Sequence, residues 1–108
     1  MQTEKILLTT SLPAIAALSA LHFVNYAGGV PTAGQRTLGI ANADYDAGEQ
    51  AGVKTHGELL VVAGAAVSVG AEVESDAQGR AITRTTGVVA GVARDAATAA
   101  GDILRVMR

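Results

Sequence analysis

Short apolar runs, mostly Val and Ala, alternate along this chain with glycine-bearing turns, and no run is long enough for an ordinary helix. The pattern is clearest from Lys54 to Ala93. Thr55 to Val62 leads into Ala63-Gly64, and a second apolar stretch ends at Gly70. Val67, Val69 and Val73, separated by Ser68 and flanked by Glu72 and Glu74, show the period-two alternation of a half-buried strand. Asp76-Ala77-Gln78-Gly79 has Asp first and Gly fourth, which predicts a type I turn. Arg80 to Thr86 alternates again until Gly87 stops it. These features predict a β-meander.

The flanking segments follow the same grammar. Leu21 to Tyr26 is predicted as a strand with His22, Val24 and Tyr26 on one face and Leu21, Phe23 and Asn25 on the other. Ala27 to Gln35 is a Gly/Pro loop, Leu38 to Asn42 a second strand, and Asp44 to Glu49 a polar turn. Ala51 to Lys54 leads into the meander, and Ile103 to Met107 is a terminal strand. The chain also repeats itself. Gly39-Ile40-Ala41-Asn42 followed by Ala47-Gly48-Glu49 returns about fifty residues later as Gly91-Val92-Ala93-Arg94 followed by Ala100-Gly101-Asp102. Two corresponding hairpins in a small barrel or sandwich would produce such an echo. An Ala-rich helix from Arg94 to Ala100 is the alternative for the second loop.

Residues 1 to 19 differ from the rest. Ile6-Leu7-Leu8 and Leu12 to Leu21 are aliphatic, separated by Thr9-Thr10-Ser11. A secretory signal is disfavoured because Met1 to Lys5 carries no net positive charge and Pro13 opens the apolar run. No stretch reaches the ~18 uninterrupted apolar residues of a membrane span. A short helix from Pro13 to Leu21 is one reading. An extended arm that docks on something is the favoured one, with residues 1–19 as arm and residues 20–108 as β-rich body.

Composition narrows the function. At 108 residues the chain is one domain, 49% hydrophobic and 17% charged, but with one Phe, two Tyr and no Trp. Small side chains bury little area each, at ~25 cal/mol per Å². So thin a core predicts completion by a partner. A net charge of −2, with the basic residues of the last third dispersed, gives no footprint for nucleic acid. Without cysteine there is neither disulfide nor thiolate metal site. His22 and His56 stand at no metal-ligand spacing, and Asp44, Asp46 and Glu49 do not follow the EF-hand order. No phosphate loop or nucleophile elbow is present, so no catalytic residue, metal or cofactor is predicted.

In their order and spacing the motifs resemble the capsid cement, or head decoration, proteins of tailed bacteriophages. The resemblance is carried by Phe23-Val24-Asn25, Gly28, Pro31-Thr32-Ala33-Gly34, Leu38-Gly39-Ile40-Ala41 and Asp46-Ala47-Gly48-Glu49. It continues through Gly57, Val62 to Val67, Gly70, Val73, Asp76 to Ala81, Gly87, Gly91-Val92-Ala93 and Ala100 to Ile103, about residues 21 to 106. It implies a structural protein on the outer surface of the virion capsid, made in the host cytoplasm and binding the major capsid protein of the expanded head. It also implies a homo-oligomer, a trimer rather than a dimer, with neither nucleic acid nor membrane as partner. The expected architecture is a mainly β, small single-domain barrel or sandwich with an extended N-terminal arm. Ile6, Leu7, Leu8, Leu12, Ile15 and Leu18 are the candidate contacts with capsid or sister subunit; the competing reading is that they fill the domain's own core. A secreted or periplasmic β-domain acting as a binding module is the alternative function.

Overall fold

The computed structural model describes residues 3–108. Its regular structure is all strand: β1 (Lys5–Pro13), β2 (Phe23–Asn25), β3 (Thr37–Ala41), β4 (Gln50–Val62), β5 (Glu72–Ser75), β6 (Ala81–Thr83), β7 (Gly91–Ala93) and β8 (Ile103–Met107). No helix occurs among the described residues. The strands form one antiparallel sheet in the order β2-β3-β4-β8-β7-β5-β6, with β1 added to β4. The sheet curls until its ends meet: the Phe23 amide donates to the Gly79 carbonyl at 2.7 Å, and the Gly64 amide to the Ala81 carbonyl at 2.8 Å. The result is a nearly closed barrel.

β4, 13 residues long, is the strand the others are hung on. One of its edges takes β1, and the other takes β3 and then β8. Lys54 faces both Thr9 and Ile40, and Glu58 faces both Lys5 and Met107. Where β1 crosses, the register slips on both sides of Leu8. Gly57, at φ +131°, makes the crossing possible, because a Cβ there would sit 2.2 Å from the Lys5 carbonyl oxygen.

The structure redraws several sequence-predicted elements. The alternation from Val67 to Val73 is not one strand. A turn closed by the Ala71 amide on the Ser68 carbonyl, with Gly70 at φ +83°, leaves Val67 buried, Val69 exposed, and the strand beginning at Glu72. Phe23 and Val24 are both buried, in different core clusters, so β2 has no solvent face. The run after Arg80 is a strand only from Ala81 to Thr83. Arg94 to Ala100 is a bent loop, and Ala14 to Leu21 is irregular backbone apart from the bridge at Leu18. The turn at Asp76 has the predicted chemistry: Gly79 is at φ +78°, and Asp76 Oδ1 accepts from the Gln78 and Arg80 amides.

The repeat seen in the sequence extends through the fold. Leu12↔Ala51 and Thr10↔Val53 of β1–β4 correspond to Val61↔Leu104 and Leu59↔Val106 of β4–β8. Val24↔Gly39 corresponds to Val73↔Gly91, and the bridge Leu18↔Tyr45 to Val67↔Ala97. Each half is a four-stranded sheet, β2-β3-β4-β1 or β5-β7-β8-β4, and β4 ends the first half and begins the second. The smaller core (Ala14, Leu18, Val24, Ala41, Ala51, Val53) matches Ala63, Val67, Val73, Ala93, Leu104 and Val106 of the larger one. The repeated Ala-Gly-acid motif has a physical cause. Gly48 and Gly101 turn the chain at φ +92° and +94°, and the next acid ties the loop, Glu49 taking the Asp46 amide and Asp102 the Thr98 and Ala99 amides.

Candidate functional site

The six aliphatic candidates divide along the chain. Ile6, Leu7 and Leu8 are exposed on β1, Leu7 by 81%, and Ile15 is 64% exposed just beyond it. Leu12 is half-buried against the smaller core. Leu18 is interior at 4% exposure, its amide and carbonyl bonded to Tyr45. Leu18 therefore belongs to this chain's own core and offers no surface. The position is fixed by the duplicated architecture, in which Val67 occupies the corresponding site.

β1 is exposed along almost its whole length because no second layer covers it. Its inner edge is hydrogen-bonded to β4, and Ala14 continues that ladder by exchanging bonds of 2.7 and 2.8 Å with the Gly48–Glu49 backbone. Successive residues of an antiparallel strand direct their amides to opposite edges. Thr9 and Ser11 accordingly aim their amides outward, and Pro13, next in that series, has no donor. No strand pairs with this outer edge among the described residues.

The start of β1 is pinned by a charge. Glu4 Oε1 lies 2.5 Å from Lys54 Nζ, whose side chain is only 3% exposed, and also accepts the Leu60 amide at 2.9 Å. Beside this anchor Leu7, Gly57, Glu58 and Met107 line an open, mostly apolar cleft of about 240 Å³. Met107 and its cross-strand neighbour Val92 are themselves exposed. Tyr26 is 64% exposed on the hairpin after β2. None of these three is among the aliphatic candidates, because each sits in a strand or hairpin whose orientation only the sheet order reveals.

The polar groups act within the fold. Glu74 is buried, and Oε1 accepts from the Thr85 amide and hydroxyl and from the Gly87 amide. The Thr85 amide, ahead of the opposing effect of burial, holds its carboxyl below the ordinary glutamate value. The Asp102 carboxyl is lowered chiefly by the Thr98 hydroxyl. The Arg108 guanidinium reaches inward to Thr55 O, Thr37 Oγ1, Thr37 O, Leu38 O and Ala90 O, and burial lowers its pKa. Arg105 grips Asp95 with two bonds of 2.8 Å, and that pairing raises its pKa. His22 and His56 bond to the Ala20 carbonyl and the Thr55 hydroxyl. Among the described residues no three His, Asp or Glu side chains group so as to hold a metal ion, and no helix is long and apolar enough to cross a membrane.

Comparison with known proteins agrees with this geometry. The chain's fold is similar to the N base of the head fiber protein gp8.5 of bacteriophage phi29. The TM-score is 0.77 at 19% identity, over 93% of this chain and 92% of that one. At that identity the likeness shows the fold alone. No curated protein matches the sequence. The family model for phage cement proteins matches residues 1–108. The chain belongs to the phage cement protein family, whose members are structural proteins of the phage capsid.

Proposed function

We propose that this protein is a capsid decoration protein that binds the major capsid protein on the outer surface of the expanded head and stabilises the shell. The observation that carries the reading is β1, an aliphatic strand attached by one edge to a finished barrel and exposed on its remaining sides. An exposed apolar stretch of this kind marks an interaction site. Ile6, Leu7, Leu8 and Ile15 form the contact, Leu12 supports it from beneath, and no catalytic group is required. Several copies acting as a homo-oligomer, a trimer in preference to a dimer, would multiply modest contacts into avidity.

Deleting the segment up to Ser19 would be a poor test, since it would also remove Ala14 and Leu18 from the core. Single substitutions avoid this. The intact protein should co-sediment saturably, at a fixed ratio to the major capsid protein, with expanded heads that lack it. Leu7→Ser should weaken that binding at least tenfold while leaving the thermal midpoint unchanged. Failure of the intact protein to bind its own phage's heads would sink the reading. Sedimentation equilibrium of the free protein addresses the trimer.

A further inference from the structure

The internal duplication turns the open edge of β1 into a specific prediction. In the second half the leading strand is Lys54 to Val62 of β4, and its outer edge is closed. Lys5 lies against Glu58, the Glu4 carboxylate accepts the Leu60 amide at 2.9 Å, and the Leu21 carbonyl accepts the Val62 amide at 2.9 Å. The paired registers place Thr9, Ser11 and Pro13 of β1 where Glu58, Leu60 and Val62 stand. Counting back along the same alignment puts Lys5 at the place of Lys54. Lys54 is buried and joined to Glu4, whereas Lys5 is exposed and has no acid partner among the described residues. The same backbone therefore carries the same lysine and the same outward amide twice. The acid-bearing strand that satisfies them is present once.

We propose that the outer edge of β1 accepts an extended, acid-bearing strand of the major capsid protein. Its carboxylate joins Lys5 Nζ to the Ser11 amide, as Glu4 joins Lys54 to Leu60. Strand addition supplies affinity through main-chain bonds and specificity through the side chains they place, and here the specificity element is the carboxylate. Pro13 ends the accepting ladder, so the added strand runs beside Lys5 to Leu12. The exposed Ile6, Leu7 and Leu8 then flank it with apolar contact. The inference rests on the decoration reading for the identity of the partner and on the duplication for the chemistry of the edge.

Two variants and a probe test it. Ser11→Pro removes the outward amide, in the series where Pro13 is already accommodated, together with an exposed hydroxyl that accepts from Gln50 Nε2 at 3.2 Å, and Lys5→Glu reverses the charge. Each should lower affinity for expanded heads at least tenfold, whereas Val69→Ser, at an exposed position of the second half, should bind as the parent does. If both edge variants retain the fold by circular dichroism and bind heads like the parent, the strand proposal is overturned and the decoration reading stands. If the parent itself does not bind, the decoration reading fails and the shell is not the partner. The edge is then decided by a synthetic peptide with the sequence of residues 1–8, which carries the internal closing acid. Amide shifts at Thr9 and Ser11 with millimolar peptide, lost with the Glu4→Gln peptide, support an acid-accepting edge. No shift at those amides overturns it.

Discussion

Leu21 is the single residue other than glycine at positive φ, +61°, among the described residues, and its counterpart in the second half is Gly70 at +83°. Each is the third residue of a turn that begins at the matching serine, Ser19 or Ser68, whose carbonyl accepts the amide of His22 or Ala71. The left-handed conformation disfavours a side chain by roughly 1–2 kcal/mol, so the first half carries a strain that the second avoids. No atom lies within 4 Å of where a Gly70 Cβ would be. Gly70→Ala should therefore lower stability by about 1 kcal/mol from backbone conformation alone, read as a fall in the urea midpoint without a change in slope. An unchanged midpoint would show that the turn relaxes. Glu74 supplies a pH dependence at the same scale. Its folded pKa is lowered, so its contribution to stability is complete above the ordinary glutamate value of 4.5 and is lost as the pH falls through the folded value. The stability gap between the parent and Glu74→Gln should be widest at neutral pH and narrow steadily in acid. A gap independent of pH would remove the carboxylate from that role.

Among the elements, legibility in the sequence tracks how uniformly each strand is buried. Ile103 to Met107 alternates cleanly because one face meets the core and the other meets solvent, so the predicted strand and β8 have the same bounds. The Asp76 turn was equally plain, its chemistry being local. The sequence pattern divides β4 at Lys54 because Gly52, Lys54, Thr55 and Gly57 break its apolar run. Gly57 is required by the crossing of β1, Lys54 by its pair with Glu4, and Gly52 by the close approach of the Asn42 side chain, none of which any local pattern encodes. β1 itself read as an arm because a strand exposed on both faces lacks alternation, and its attachment depends on partners some fifty positions away. The open outer edge was invisible for the same reason. The pair that anchors this element should be measurable. Removing one partner of a buried ion pair costs about 3–5 kcal/mol, and Glu4, itself one-fifth exposed, should fall near the lower end. Glu4→Gln should thus destabilise strongly and free the amides of β1 to exchange. Adding Lys54→Met should recover much of the loss, since the uncompensated buried charge is then gone. A double variant no better than the single would place the loss in the Leu60 hydrogen bond instead.

For the whole molecule, the duplication decides what kind of unit this is. Two half-sheets that share β4 and close through Phe23–Gly79 and Gly64–Ala81 bonds cannot open separately without breaking each other's ladders. The smaller core, though held by the first half, packs Val24 on the reverse of the strand whose Phe23 fills the larger one. Coupling of that kind predicts one cooperative transition. Leu18 is the discriminating probe, because it lies in the segment that reads as an arm yet is 4% exposed. Truncating a buried leucine leaves a cavity worth about 2–5 kcal/mol. If the first nineteen residues were a separable appendage, Leu18→Ala would leave the main unfolding midpoint where it was and merely release a local segment. In a single unit built on β4 it should instead shift the whole transition, as Val67→Ala should at the matching site in the other half. In a Tyr26→Phe background, fluorescence of Tyr45, which packs on the smaller core, and far-ultraviolet circular dichroism should then change together in both variants. Separate midpoints for the two signals in Leu18→Ala would show that the first half is docked on the barrel rather than built into it.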